Sequence, residues 1–416
     1  MGNNITKERI KINEKTIIAT IDIGKYVNTG YFRCPDGRES KPFKFYNNGE
    51  GFKKYWEDME RFKRQNNMEE IIVGFESTGA YAQPIIEFLR KREVKLVQVN
   101  PMHTKRVKEL CDNSPNKTDK KDPRVIADII QLGHFLTVIV PEGVRADLRR
   151  LTHARERSVA RQTALFNQLQ ELVFVIFPEF LNIVRDVRTK TAKYLLSYYP
   201  TPESILQCGF EQLLRIIKRV SKGRISKQYV EALYDASKES VGIKEGRESI
   251  LFEIKHILSL IEREKYYIFE IESKMREYLK QVPESKYILS IKGIGIVTVC
   301  GLIGEIGDFR QFKTAYEIEK LAGLNLYEIS SGKHRGEKHI SKRGRTLLRK
   351  ILFYASMNLV REGRIYHSWY QNTIKGGMPK IKALIAVSRK LIRLIFGLVV
   401  NQSEYNPEYH RIKKTA

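Results

Sequence analysis

Four carboxylates and one pair of adjacent serines stand where their neighbours give them chemical possibilities. Asp22 lies within the apolar run TIIATIDIG, between Ile21 and Ile23. In an extended strand those neighbours point to the opposite face, so Asp22 projects alone from an otherwise apolar surface. A carboxylate placed there needs a metal ion or another partner to offset its lost hydration. Glu76 closes the run IIVGFE and opens STGAY, at the C-terminal end of a strand, where α/β sheets place their ligands. Asp119 and Asp122, in NKTDKKDPRVIADII, are three residues apart and lead into a helix; that spacing lets two carboxylates converge on one side of a first turn. Several oxygen ligands facing a phosphate suit Mg2+, or Mn2+ in its place. Two such ions would clamp the attacking and leaving oxygens of an in-line displacement. Each acid also has a plainer use. Asp122 before Pro123 makes a good N-cap, Asp119 stands beside Lys117, Lys120 and Lys121, and Glu76 can cap a helix starting near Thr78. The four together, in this order and on these elements, argue for a site.

The serines head a different kind of segment. SSGKHRGEKHISKRGRTLLRK, residues 330–350, holds eight Lys or Arg, two His and one acid, Glu337. A hydroxyl is a weak nucleophile until a base activates it or nearby groups stabilise charge on the phosphate it attacks. Cations and amides around Ser331 and Gly332 suit the second task, and Gly332 lets the backbone approach a phosphate closely. The competing use is a simple grip on a nucleic-acid backbone, with Ser330 and Ser331 as ordinary phosphate donors. Lys333, Arg335, Lys338, Lys342, Arg343, Arg345 and Arg349 are the candidate phosphate contacts in either case.

These residues need elements to position them. Residues 16–132 alternate strand and helix signals: TIIATIDIG, VNTGYFRC and KPFKFYN as strands, then GFKKYWEDMERFKRQ, EEIIVGFE, YAQPIIEFLRKR, VKLVQVN and two closing helices. The order βββαβαβα is that of an RNase H-like (RuvC-like) α/β domain, with a meander first and crossovers after it. A long helix is predicted from Val144 to Phe177, followed by an irregular helical stretch over 179–242. A heptad then runs through Ile250, Ile254, Ile257, Ile261, Glu264, Ile268, Ile271, Met275 and Tyr278, broken only by Glu264. That stripe predicts a helical hairpin with the 144–177 helix and a coiled coil suited to pairing subunits. ILSIKGIGIVTVCGLIGEIGDFRQF reads as helix, turn and helix, a helix-hairpin-helix pattern whose Gly293 and Gly295 would expose amides to a phosphate. Two apolar-periodic helices complete a mainly α C-terminal region. The predicted domains are 1–142, 143–283 and 284–416.

Composition narrows the partners. Lys and Arg outnumber Asp and Glu by 74 to 48, a net charge of +26, while 42% of the 416 residues are hydrophobic. A globular chain with that surplus is expected to carry nucleic acid, which releases counterions as its phosphates are neutralised. Cys34, Cys111, Cys208 and Cys300 are far apart and match no zinc or disulfide pattern. The polar start MGNNITKERIKINEK has no signal-peptide core, and LIAVSRKLIRLIFGLVV is interrupted by three cations. A cytoplasmic chain with no membrane span is therefore predicted.

Nearly the whole chain resembles the transposases of the insertion-sequence-110 family. The resemblance rests on TIDIGK, GFESTGAY, VQVNPMHTKRVKE and NKTDKKD toward the N-terminus. Toward the C-terminus it rests on IKGIGIVTVCGLIGEIGDFRQF, LAGL and SSGKHRGEKHISKRGRTLLRKILF. It implies that Asp22, Glu76, Asp119 and Asp122 form a DEDD tetrad holding Mg2+ or Mn2+. It also implies that Ser331, before Gly332, is the nucleophile, with Ser330 the alternative. Pro123 departs from the small helix-former common after the last Asp, which puts the local helix start in question. The implied activity is RNA-guided recombination. The serine would attack a phosphodiester of target or donor double-stranded DNA, forming a phosphoserine link, while a structured noncoding RNA supplies sequence choice by base pairing. A dimer or tetramer is implied, with tetrad and serine able to come from different subunits. Two other readings remain: a metal-only RuvC-like endonuclease or junction resolvase, and a catalytically inactive nucleic-acid-binding protein.

Overall fold

The computed structural model describes residues 10–76, 79–112, 122–328, 330–331 and 334–408. The chain forms two compact units, one made of residues 1–146 with 282–416 and the other of 147–281.

In the first unit the N-terminal residues build a mixed sheet. Its strands are β1 (Thr16–Asp22), β2 (Val27–Arg33), β3 (Phe43–Tyr46), β4 (Glu70–Glu76), β5 (Lys95–Val99) and β6 (Leu136–Thr137). Their spatial order is β3-β2-β1-β4-β5-β6. The first three strands pair antiparallel, while β4 joins β1 and β5 in parallel. The predicted meander followed by crossovers is thus present, as an RNase H-like order requires. Four helices flank the sheet: α1 (Gly49–Gln65), α2 (Gln83–Arg90), α3 (Pro101–Asp112) and α4 (Asp122–Gln131).

Strand alternation sends the side chains of β1 into two cores. Ile17, Ala19 and Ile21 join Phe52, Tyr55 and Met59 of α1 with Ile85 and Leu89 of α2. Ile18 turns the other way, onto Ile126, Ile129 and Ile130 of α4. The helix comes very close there: a Cβ on Gly74 of β4 would stand 2.0 Å from Ile130 Cδ1. A side chain at that strand position would force the end of Ile130 aside, so glycine lets α4 lie there without that shift.

The second unit is helical. The C-terminal part of α5 (Gly143–Ile176) runs antiparallel to α11 (Arg247–Leu279), as the pairs Arg155–Glu272, Arg161–Glu264 and Gln168–Glu253 show. Between them lie α6 (Pro178–Ile183), α7 (Lys190–Tyr198), α8 (Pro202–Cys208), α9 (Phe210–Ser221) and α10 (Lys227–Lys238). Glu264, the polar interruption of the heptad, bonds Arg161 at 2.7 Å and also accepts from the Ser158 hydroxyl. The Arg161 hydrogen bond holds its carboxyl below the usual carboxylate range. The interruption thus has a partner on the facing helix.

The C-terminal residues of the first unit begin with α12 (Ser285–Leu289), α13 (Ile296–Ile306) and α14 (Ala315–Leu321). Four two-residue strands follow: β7 (Leu326–Tyr327), β8 (Ser330–Ser331), β9 (His334–Arg335) and β10 (His339–Ile340). The chain closes with α15 (Thr346–Leu359), α16 (His367–Lys375) and α17 (Lys380–Val400). Helix α17 is the hub, packing on α12, α14, α15 and α16. Glu319 of α14 is fully buried there, 2.8 Å from both Arg389 and Arg393 of α17.

One side chain in the N-terminal core lacks a polar partner. Tyr55 is wholly buried against Phe32, Phe43 and Phe45, and its hydroxyl has no hydrogen-bond partner among the described residues. Burial pushes that phenol well above its ordinary range. Leaving a buried hydroxyl unpaired costs about 1–3 kcal/mol. Tyr55→Phe is therefore expected to stabilise the chain by roughly 1 kcal/mol. Calorimetry should read a melting temperature raised by about 2–4 °C, and a lowered one would contradict the assignment.

Candidate active site

The acids first. In the parallel pair β1–β4, Thr20 sits beside Gly74 and Ile21 beside Phe75. One further step of that register sets Asp22 beside Glu76, each the last residue of its strand. Both fall on the α4 face of the sheet, in line with Ile18 and Ile72. Neighbouring strands lie roughly 4.8 Å apart, so two carboxylates share one sheet edge, and both are half-buried. The third element arrives from the side: α4 opens at Asp122, and Pro123 is its second residue. Proline is compatible with this start because its missing N–H is unneeded in a first turn. Thr20 Oγ1 donates to the Pro123 carbonyl oxygen at 2.7 Å, which fastens the head of α4 over the end of β1. The Asp122 side chain and the whole of Asp119 lie outside the described residues.

Two asparagines hold the loops beyond the acids. Asn47 Nδ2 donates to Gly24 O at 2.9 Å and to Tyr81 O at 3.2 Å. It thereby joins the loop after Asp22 to the segment after Glu76. Buried Asn28 accepts from Gly24 N at 3.1 Å and lies 3.4 Å from Asn47 Oδ1. Hard carboxylate oxygens on adjacent strand ends, reachable from solvent and steadied from behind, are a donor set that suits Mg2+ or Mn2+. Among the described residues no three His, Cys, Asp or Glu side chains converge on a metal-sized site.

The serines sit on a narrow arm. Its base is a ladder between LAGLN and ISKRGR: Arg345 N donates to Leu321 O at 2.7 Å, Lys342 N to Gly323 O at 3.0 Å and Ser341 N to Asn325 O at 2.9 Å. The backbones touch so closely that a Cβ on Gly344 would meet Gly323 N at 2.4 Å. Outward from this base β7 pairs with β10, and then β8 with β9. Ser330 stands opposite Arg335 and Ser331 opposite His334. Gly332 and Lys333, between the strands, lie outside the described residues, as do the side chains of Ser330, Ser331 and Arg335.

The base of the arm touches α3 of the N-terminal residues. The Arg343 guanidinium lies 3.4 Å from Nε2 of His103, in the first turn of α3. That helix follows β5, whose Val99 pairs with Glu76, so Arg343 touches the helix that leaves the sheet next to the strand ending in Glu76. Burial, then the charge of Arg343, pushes the His103 imidazole below its ordinary range. His103 is therefore neutral near pH 7 and able to accept from Arg343.

The cations predicted to touch phosphate divide into two groups. Lys338, Lys342 and Arg343 are exposed. Arg345 instead turns inward: it donates to Ile139 O at 2.6 Å and to Glu305 O, and its guanidinium lies 3.8 Å from the buried Glu305 carboxylate. Arg349 donates to Ala322 O at 2.9 Å and to Lys342 O at 3.3 Å. Both hold the arm's base together. Gly293, at φ +110°, and Gly295, the residue before α13, form the turn expected between two helices. Asn358 Nδ2 donates to Gly293 O at 2.7 Å. Thr20, Asn28, Asn47 and His103 were not among the residues singled out from sequence. A buried Asn inside the strand signal VNTG was the one available sign.

Known proteins agree with these two halves. A DEDD-type family model of the IS110 group, described as "Transposase", matches residues 19–178, which include all four acids. A second, "Transposase IS116/IS110/IS902 family", matches residues 285–371, which include the serine arm. The insertion element IS110 43.6 kDa protein of Streptomyces coelicolor is 22% identical over 292 residues, 70% of this chain and 72% of its own. The insertion element IS116 44.8 kDa protein of Streptomyces clavuligerus is 23% identical over 295 residues, 70% of this chain and 73% of its own. The transposase for insertion sequence element IS1111A of Coxiella burnetii is 22% identical over 299 residues, 70% of this chain and 68% of its own.

The division among the cations is measurable. Arg345→Met removes two carbonyl bonds and a cation beside the buried Glu305 carboxylate, so it should destabilise the chain by roughly 3 kcal/mol. Arg343→Ala should shift stability by no more than about 0.5 kcal/mol. It should instead weaken DNA binding and reduce the salt dependence of the binding constant by about one unit of slope. Thermal melts alongside binding titrations at several salt concentrations separate the two. Equal behaviour of both variants would refute the division.

Proposed function

From this chain's membership of the IS116/IS110/IS902 transposase family, we propose that it cleaves and rejoins DNA through a covalent serine link formed beside a divalent-cation site. As an insertion-sequence transposase it processes DNA. The observation that carries the reading is the shared sheet edge. Asp22, Glu76 and the head of α4 meet there, and the base of the serine arm touches the neighbouring helix α3 through Arg343 and His103.

Asp22, Glu76, Asp119 and Asp122 are the residues that would hold Mg2+ or Mn2+. When bound, such an ion lowers the pKa of a coordinated hydroxyl and neutralises charge developing on a phosphate. The arm's work is to deliver a hydroxyl. The Ser331 oxygen forms a bond to phosphorus as one bridging P–O bond of the DNA strand breaks, and the serine proton balances the one taken up by the released sugar hydroxyl. Ser330 is the alternative nucleophile. Attack by a second strand's hydroxyl then expels the serine, so rejoining needs no high-energy cofactor. Lys338, Lys342 and Arg343 steady the strand through its phosphates, together with Lys333 and Arg335 at the arm's tip. The amides following Gly293 and Gly295 do the same at the head of α13. None of these contacts reads sequence, which is why a structured noncoding RNA paired to target and donor suits this chain as the source of specificity. The account holds whether the serine reaching a given acidic edge belongs to the same chain or to a second copy in a dimer or tetramer.

The test is trapping. Incubated with Mg2+, DNA spanning the element ends and RNA transcribed from the flanking noncoding segment, the chain should leave protein joined to DNA on a denaturing gel. Ser331→Ala should lose the adduct and cleavage together, and Asp22→Asn should do the same. Cleavage that persists in Ser331→Ala and Ser330→Ala without any adduct would establish a water-using nuclease instead.

A further inference from the structure

Thr20 is fully buried on β1, on the face that also carries Ile18 and Asp22. A hydroxyl enclosed by apolar side chains costs free energy unless it finds an acceptor inside the protein. Thr20 finds the Pro123 carbonyl oxygen at 2.7 Å, across 103 residues of chain. The bond sits one residue from Asp122 and one side-chain step along β1 from Asp22, roughly 6.6 Å of strand. It therefore links the strand that ends in the first acid to the helix that opens with the last.

The apolar packing of α4 does a different job. Val125, Ile126, Ile129 and Ile130 hold the helix on Ile18, Ile72, Val97 and Val99. All four lie C-terminal to Pro123. Apolar contact is non-directional: it sets the distance of a helix from a sheet and leaves slide along the strands and the path of the first turn weakly specified. A hydrogen bond at the first turn is directional and supplies that constraint. Pro123 adds to it, since its ring fixes φ and thereby the relation of its carbonyl to Asp122.

We infer that Thr20 is a positioning residue for the acidic edge, fixing the head of α4 over β1 and with it the separation of Asp22 from Asp122. The inference rests on reading that edge as a divalent-cation site. Hydrogen-bond partners standing behind metal ligands typically change affinity by about 10–100-fold when removed.

The experiment titrates the full-length, metal-stripped chain with MnCl2 and follows water-proton relaxation. Wild type should bind, Asp22→Asn should lose binding, and Thr20→Val should bind roughly 10-fold more weakly. Thr20→Ser, which restores the hydroxyl, should return to within about 2-fold of wild type. Ile126→Val loosens the same helix without touching Pro123 and should leave Mn2+ affinity unchanged, which separates positioning from general destabilisation. Should Thr20→Val not fold, Thr20→Cys, similar in size with a weaker donor, takes its place. Wild-type affinity in Thr20→Val while Asp22→Asn has lost it would overturn the inference and leave the cation site standing. Undiminished binding in both Asp22→Asn and Glu76→Gln would overturn the site itself, and the inference with it.

Discussion

Everything in the N-terminal half depends on how closely α4 can lie on the sheet. Gly74 removes the side chain that would meet Ile130, and the helix settles with Ile126, Ile129 and Ile130 against Ile18 and Ile72. That contact is apolar and local, yet it decides where a distant segment ends up. The chain leaves the sheet after β5, and α4 brings it back over the ends of β1 and β4. Without this return Asp22 and Glu76 would be two acids on a strand edge. With it the head of α4 is fastened by Thr20 to the strand that ends in Asp22. Burial and chemistry are therefore coupled through one glycine and one helix face, a close approach of the kind that glycine within a strand permits.

The serine arm is built on the opposite principle. Its base is a ladder of backbone hydrogen bonds from Leu321 to Arg345, with Leu321, Ala322 and Leu324 buried beneath it. Two arginines then tie the ladder to its surroundings by donating to carbonyl oxygens, Arg345 to Ile139 and Glu305, Arg349 to Ala322 and Lys342. A guanidinium serves well here because its several donors lie in one rigid plane. The result is a fixed base with a ribbon two strands wide extending from it.

The sequence was most informative where periodicity is strong. Alternation in TIIATIDIG separated the two faces of β1 and isolated Asp22, the lack of breakers before Pro178 gave the span of α5 to within a residue or two, and the heptad ran along most of α11. Even the break at Glu264 was visible, though not its partners Ser158 and Arg161 on the facing helix. What could not be read were bonds between residues far apart in the chain. Thr20 looks like any strand threonine until Pro123 is placed against it. Arg345 is one cation among eight in its stretch, and only the fold reveals that it faces a carbonyl. Strands of two residues are too short to show alternation, so the arm read as a charged segment instead of a hairpin.

Charge gives the last connection between the two halves. Residues 282–416 hold 24 Lys and Arg against 10 Asp and Glu, and the acids are not equally available. Glu305 and Glu319 are buried, the first beside Arg345 and the second between Arg389 and Arg393. There they compensate Arg345 and Arg389, which are largely buried, while Arg393 reaches Glu319 from a more exposed position. These pairs withdraw two acids and three arginines together, so the cationic surplus of the segment is nearly unchanged and stays on its solvent side. Among the described residues of the arm beyond its base, Glu328 pairs with Lys338 and Glu337 with Lys382, exposed pairs that water and salt screen readily. A polyanion can displace such pairs at little cost, and the cations released would then face its phosphates. The protein thus keeps its strong ion pairs for structure and its weak ones where a strand must bind.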